Sequence, residues 1–148
     1  MITHMWKARL PMIWPLMTKK FFLRQPSDPA TQADSQIARD LADTLAAHRA
    51  NCIGMAANMI GERKRIIAVV DDCNNILVMF NPEITHAENE YETVEGCLSL
   101  DGTRPATRYN DIEVAFQDET MHPRSSAFSG KTAQAIQHEI DHCNGILI

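Results

Sequence analysis

Two histidines four residues apart, His138 and His142, stand near the end of this chain with Glu139 between them. If the segment is helical, four residues turn about 400°, so both imidazoles project from nearly the same face. The two rings can then bind one metal ion, and the carboxylate of Glu139 can reach a water molecule on it. The pair supplies only two ligands, and a hydrolytic site usually needs a third. The pattern indicates a metal-dependent hydrolase.

The third ligand is predicted at Cys97, whose thiolate we expect on a turn within residues 95–99 (Glu-Gly-Cys-Leu-Ser). Three protein ligands leave a fourth position for water, whose pKa a metal ion lowers to about 7. A Cys/His/His set suits Zn²⁺ as well as Fe²⁺, so the ligands alone do not identify the ion. The chain has four cysteines, too few for a cysteine-dense disulfide scaffold, and we expect free thiols.

The histidine helix is predicted to have separate packing and metal-binding faces. Its projection gives an apolar stripe suited to the core, formed by Ala133, Ile136, Ile140 and Cys143. Asp141 points away from the histidines on this projection and is a poor ligand candidate. We expect it to anchor the helix through a structural ion pair, with Arg108 as the candidate partner. Ser129 is a candidate cap for the start of this helix and Gly145 for its end.

The remaining patterns predict an α+β fold of one domain, residues 1–148, with a loosely packed segment at 1–20. A helix is expected from Ile37 to about Arg49, capped by Thr31 with Asp34 or by Ser35. Strands are expected at 65–70 and 76–80, joined as a hairpin, at 112–117 and, more weakly, at 125–128. Strands outnumber crossover helices, which favours mixed or antiparallel β-sheets wrapped around the C-terminal metal-binding helix.

Composition argues against several classes of partner. The net charge of −5 gives no electrostatic reason to bind nucleic acid or an anionic membrane. No segment approaches the roughly 20 apolar residues needed to span a bilayer. Pro11 and Pro15 interrupt the apolar N-terminal run, and two lysines follow where a signal peptide would need small residues. We expect a cytoplasmic protein.

Three segments resemble, in order and spacing, the three motifs of the peptide deformylases. They are residues 54–61 (Gly-Met-Ala-Ala-Asn-Met-Ile-Gly), 95–99 and 137–142 (Gln-His-Glu-Ile-Asp-His). The resemblance implies an enzyme of protein biosynthesis that removes the formyl group from N-formylmethionine on nascent polypeptides of bacteria or organelles, releasing formate. Its partners would be these N-formylated peptides.

The resemblance also implies a role for each matched residue. Cys97, His138 and His142 would bind one divalent ion, with Fe²⁺ favoured and Zn²⁺, Ni²⁺ or Co²⁺ possible. Glu139 would be the general acid/base, and the backbone N–H of Leu98 would donate to the oxyanion.

The first motif departs from the pattern Gly-x-Gly-x-Ala-Ala-x-Gln. Cys52 stands at the first glycine and Met59 at the glutamine, whose amide would be a second donor to the substrate carbonyl. Met59 has no donor, and losing one such donor typically costs on the order of 10²–10³ in rate. Asn58 could supply the missing amide only if the backbone rotates locally, because neighbouring side chains of an extended chain face opposite ways. Gly54 and Met59 are predicted to contact substrate, Gly54 because it permits close backbone approach.

Two functions stay open at this point. The first is a deformylase or a close amidohydrolase acting on a related N-acyl group. The second is a catalytically weak relative that binds metal and formylated or other N-acylated peptides, which Met59 favours. A metallopeptidase is a third and more distant possibility, because it would share only the histidine pair and the glutamate.

Overall fold

A five-stranded antiparallel sheet organises the protein in the computed structural model, which describes residues 10–148. Strand order in the sheet follows chain order: β1 (Gly54–Ala56), β2 (Ile66–Val70), β3 (Ile76–Cys97), β4 (Leu100–Gln117) and β5 (Pro123–Ser129). The helices are α1 (Lys20–Leu23), α2 (Ser35–Ala47) and α3 (Gly130–Cys143), with short 3₁₀ turns at Gln32–Asp34 and Ala57–Ile60. The α+β prediction is confirmed, and of the two sheet types considered the antiparallel one is observed.

The two long helices cover opposite faces of β2. Alternate residues of a strand point to opposite faces; Ile66 and Ala68 pack with α2, whereas Ile67 and Val69 pack with α3. Covering both faces explains why β2 is an unbroken apolar run. The predicted apolar stripe of α3 packs in the same buried cluster as Ile67 and Val69. Its residues are Ala133, Ile136, Ile140 and Cys143. Packing on the sheet therefore sets the rotation of α3 about its axis.

The predicted α2 helix and the 65–80 hairpin are both present, with small shifts in their ends. α2 starts at Ser35, and the predicted capping pair of Thr31 and Asp34 caps the 3₁₀ turn before it; at the start of α2 itself, the N-cap residue Asp34 makes no side-chain capping hydrogen bond. β3 continues far beyond the predicted end at Phe80, to Cys97, paired throughout with β4. Residues 83–94 contain no fully buried position. Because neither face of this part of β3 is buried, its sequence has no alternation of apolar and polar residues. The local sequence therefore does not indicate a strand.

The ends of α3 follow the prediction in part. Gly145 has a φ of +76°, which favours glycine and ends the helix. A Cβ there would also collide with the backbone carbonyl of Arg24. Ser129 occupies the N-cap position, but its side chain makes no capping hydrogen bond, so the predicted side-chain cap is wrong.

The N-terminal segment was predicted to be loosely packed over residues 1–20, and residues 1–9 of it lie outside the described residues. From residue 10 to 19 the chain forms no helix or strand and is hydrogen-bonded to α2. Met12 N–H donates to Asp43, and the indole N–H of Trp14 donates to Asp40 at 3.0 Å. None of the helices within residues 10–148 is long and apolar enough to cross a membrane.

Candidate metal centre

The three predicted metal ligands meet at one point between β3 and α3. Cys97 is the last residue of β3, and His138 and His142 lie on α3. The Cys97 Sγ is 3.4 Å from His142 Nε2, which is 3.2 Å from His138 Nε2. Within residues 10–148 these three side chains form the only group of three or more His, Cys, Asp or Glu ligands close enough to share an ion.

The spacing of these atoms fits a tetrahedral ion. Bond lengths of about 2.1 Å to nitrogen and 2.3 Å to sulfur place two nitrogens about 3.4 Å apart and nitrogen and sulfur about 3.6 Å apart. The two observed separations match these edges within a few tenths of an ångström. His142 is fully buried and His138 nearly so, so both imidazole rings are shielded from water where they face the Cys97 sulfur. The donor set is one that divalent transition metals accept.

A tight turn and a packed helix place the ligands. Cys97 pairs with Leu100 across a two-residue connection, Leu98–Ser99, at the tip of the β3–β4 hairpin. The backbone N–H of Ser99 donates to Cys97 Sγ at 3.5 Å. The histidines point toward the sulfur because the apolar stripe of α3 is fixed against the sheet.

A buried carboxylate orients His138. Glu95 accepts from His138 Nδ1 at 2.9 Å, leaving Nε2 to face His142 and Cys97; such carboxylate–histidine pairs fix the tautomer of a metal ligand. Burial raises the pKa of Glu95, but hydrogen bonds from His138, Arg108 and Gln134 outweigh it and hold the pKa at about 2. Glu95 was not identified from sequence. The available signal was its position two residues before Cys97, since residues i and i+2 of a strand share a face.

Arg108 joins this carboxylate to the helix. Its guanidinium donates to Glu95 at 2.7 Å and to Asp141 at 2.7 Å, and the side chain is buried. The predicted ion pair between Arg108 and Asp141 is confirmed, and Asp141 lies outside the group of ligands. The arginine thus connects β4 to both β3 and α3.

The electrostatic surroundings favour positive charge at the centre. Burial lowers the pKa of His138, but the hydrogen bonds to Cys97 and Glu95 and the charge of Glu139 raise it to about 10. Burial, together with the charge on His138, lowers the pKa of His142 to about 3. The charge of Glu139 and the carboxylate hydrogen-bonded to His138 therefore favour a cation at this point, as a bound metal ion would be.

Glu139 lies beside the ligands with an unpaired carboxylate. The residue is 4% exposed, and its Oε1 has no hydrogen-bond partner among the described residues. Burial is the main reason that its pKa rises to about 7. Gly54 packs directly against it, and a Cβ at that glycine would lie 2.9 Å from Oε2. A buried, unpaired carboxylate next to a metal site can accept and return a proton near neutral pH.

Comparison with known proteins decides the family. A family model described as polypeptide deformylase matches residues 16–148. A peptide deformylase from Clostridium beijerinckii is 47% identical over 137 residues, covering 93% of this chain and 100% of the relative. The chain belongs to the peptide deformylase family.

Solved deformylase structures share the fold. The enzyme from Thermus thermophilus superposes with a TM-score of 0.80 at 33% identity, covering 91% of this chain and 83% of that one. A class I type b deformylase from Acinetobacter baumannii, solved with Met-Ala-Ser bound, gives a TM-score of 0.81 at 26% identity, covering 93% and 97%. Peptide deformylases are metal-dependent hydrolases that remove the N-formyl group from new polypeptides, and this chain carries a group of residues suited to a divalent metal.

The deformylase motif at 54–61 places Met59, but not Asn58, in the site. The Asn58 amide nitrogen donates to the backbone carbonyl of His142 at 2.9 Å, and the side chain is buried behind α3. Asn58 therefore does not replace the missing glutamine amide, because its amide nitrogen points to the end of α3 and the residue does not line the pocket. Met59 lines the pocket, and its sulfur accepts the backbone N–H of Ala56 at 3.5 Å.

An open pocket of about 650 Å³ leads to the metal centre. All of the predicted site residues except His142 line it: Gly54, Met59, Cys97, Leu98, His138 and Glu139. Exposed apolar side chains of Ile53 and Val94 stand at its edge. Cys52 also lines the pocket, where its thiol donates to the Gly54 carbonyl at 3.0 Å and burial raises its pKa to about 11. All four cysteines are free thiols.

Proposed function

We propose that this deformylase acts on N-formylmethionyl peptides through one divalent ion bound by Cys97, His138 and His142. The observation that carries the proposal is the convergence of these three ligand atoms beside the buried, unpaired carboxylate of Glu139. A bound divalent ion polarises the formyl carbonyl and makes water more acidic. We propose Fe²⁺ as the working ion, with Zn²⁺, Ni²⁺ or Co²⁺ able to take its place. We place the reaction in the cytoplasm, where polypeptide synthesis supplies the substrate.

Glu139 is the proposed general acid/base. Its carboxylate takes a proton from water as the water oxygen bonds to the formyl carbon. The same proton then passes to the departing amine as the carbon–nitrogen bond breaks. The products are formate and a peptide with a free N-terminus. The raised pKa of Glu139 is consistent with a group that both accepts and returns a proton.

Donors around the carbonyl oxygen are fewer than the family pattern implies. We propose that the backbone N–H of Leu98 stabilises the negative charge that develops there, because the hairpin turn holds Leu98 next to Cys97. Met59, which stands where the family pattern has glutamine, lines the pocket and offers no donor. Together with Gly54, it forms part of the surface that we propose contacts the substrate.

The alternative of a weak binding protein rests on Met59 alone. A buried carboxylate without a partner, such as that of Glu139, destabilises the fold. Peptide binding alone gives no reason to retain it. Membership of the deformylase family also favours the enzyme.

The test is a pair of measurements on protein purified without oxygen. Wild type loaded with Fe²⁺ should contain one metal ion per chain and release formate from formyl-Met-Ala-Ser. Cys97→Ala should lose most of its metal, because only a bidentate histidine pair remains. Zn²⁺-loaded protein should be slower but keep its activity in air, since both Fe²⁺ and a thiolate are oxidisable. Full metal occupancy in Cys97→Ala would overturn the ligand assignment.

A further inference from the structure

A lysine shares a helix face with the proposed metal ligand His138. Lys131 is the second residue of α3 and lines the pocket together with Gln134, Ala135 and His138. Seven residues of α-helix turn about 700°, so Lys131 and His138 lie within about 20° of each other around the helix axis. The rise over the same seven residues is about 10 Å. Lys131 therefore lines the pocket about 10 Å along the helix axis from His138.

The charge of Lys131 has no partner within the part of the chain that the structure describes. Among residues 10–148 it forms no hydrogen bond or ion pair, and the side chain is exposed. The nearby carboxylate of Glu95 is already paired with Arg108, and Glu139 is buried at the base of the pocket. Lys131 is also the only lysine or arginine that lines the pocket in the described part of the chain. The cation is thus available to a ligand.

We propose that Lys131 determines substrate specificity by binding a carboxylate located about three residues from the formyl group. This inference rests on the proposed function, which places the formyl group at the metal centre. An extended peptide advances about 3.4 Å per residue, so a separation of about 10 Å corresponds to the third residue. Side chains one and three of an extended peptide also point to the same side. The carboxylate belongs either to the side chain of the third residue or to the C-terminus of a tripeptide.

The preference for acidic peptides must come from a local charge. The chain as a whole carries a net charge of −5, which repels an anionic ligand. An exposed ion pair is expected to change affinity by about two- to fivefold, which corresponds to about 0.4–1 kcal/mol. The effect should shrink as salt is added, because the pair is open to solvent.

Binding of deformylated tripeptides to Zn²⁺-loaded protein tests the proposal without turnover. Two matched pairs are titrated by calorimetry at low salt: Met-Ala-Ser against its amide, and Met-Ala-Asp-amide against Met-Ala-Asn-amide. Wild type should bind the acidic member of at least one pair about two- to fivefold more tightly. A difference in affinity within the first pair shows that Lys131 binds the C-terminal carboxylate. A difference within the second pair shows that it binds the carboxylate of the third side chain.

Variants at Lys131 test whether this residue causes the preference for the acidic peptide. Lys131→Gln should remove the preference, Lys131→Arg should keep it and Lys131→Glu should reverse it. Lys20→Gln is the matched control, since Lys20 is exposed on α1 outside the pocket. Equal affinities within both pairs in wild type, an unchanged preference in Lys131→Gln, or no binding of any peptide would overturn the inference.

Formate release from formyl-Met-Ala-Ser, measured in parallel, separates the two claims. Protein that releases formate but shows no dependence on Lys131 refutes this inference and leaves the proposed function standing. Protein whose binding preference depends on Lys131 but that releases no formate refutes deformylation alone.

Discussion

Adding one methyl group at Gly54 should move the proposed catalytic carboxylate without disturbing the metal ligands. In Gly54→Ala the new Cβ would lie 2.9 Å from Glu139 Oε2 and 3.2 Å from its Cγ. Unstrained contacts between carbon atoms are about 3.5–4.0 Å, so the side chain of Glu139 must shift by roughly 0.5–1 Å. A misplacement of about 1 Å at a reacting group can cost on the order of 10²-fold in rate. We expect kcat to fall roughly 30- to 100-fold, or about 2–3 kcal/mol in the activation barrier.

Stability should change little in the same variant. Gly54 does not have a positive φ, and the atoms that the methyl group meets belong to the side chain of Glu139 and not to the backbone. The remaining strain opposes the gain of about 0.4–1 kcal/mol that Gly→Ala brings by restricting the unfolded chain. Metal content should stay at one ion per chain, because the atoms nearest to the new Cβ all belong to Glu139 and none to the three ligands.

The assay compares kcat for formyl-Met-Ala-Ser, metal content and urea unfolding in wild type and Gly54→Ala. Gly96→Ala is the matched comparison, since a Cβ there would meet only ordinary contacts, at 3.5 Å and 3.8 Å, and its loss of rate should be much smaller. Loss of metal instead of rate in Gly54→Ala would refute the reasoning. So would a kcat within threefold of wild type, because Glu139 would then not be the group whose position matters.

Two further changes test other parts of the site. Met59→Gln should raise kcat about tenfold, because the Gln oxygen can accept the Ala56 N–H now bound by sulfur while its amide donates into the pocket; an unchanged kcat would show that other groups hold the oxyanion. Arg108→Met should lower the free energy of unfolding by about 3 kcal/mol, measured in urea, because the buried Glu95 and the partly buried Asp141 lose their cation. A change of less than about 1 kcal/mol on the same urea scale would contradict that account of a buried ion pair.

Local periodicity explains what could be predicted from the sequence. His138 and His142 share a face because of helical spacing alone, and the same projection separated Asp141 from them. The apolar stripe of α3 then specified which side packs on the sheet. Cys97 could be identified only from its motif, because helix or strand periodicity does not show that residue 97 lies near residue 138.

The features that were missed depend on contacts between distant segments. The second half of β3 forms because it pairs with β4, although its own residues show no apolar alternation. Glu95 contacts His138 only because the β3–β4 hairpin packs against α3, and this tertiary contact is not visible in the local sequence. Asn58 remained only a conditional candidate from the sequence, because its direction depends on the 3₁₀ turn at Ala57–Ile60, which aims its amide at the end of α3.

The central claim is that Glu139 transfers the proton at a metal held by Cys97, His138 and His142. The most direct measurement is formate release from formyl-Met-Ala-Ser by wild type and Glu139→Gln, both loaded anaerobically with Fe²⁺ and matched for metal content. Glutamine keeps the shape of the side chain but cannot accept the proton. We predict one metal ion per chain in both proteins and a loss of at least about 10²-fold in kcat for Glu139→Gln. Near-normal turnover by a fully metal-loaded Glu139→Gln would contradict the account.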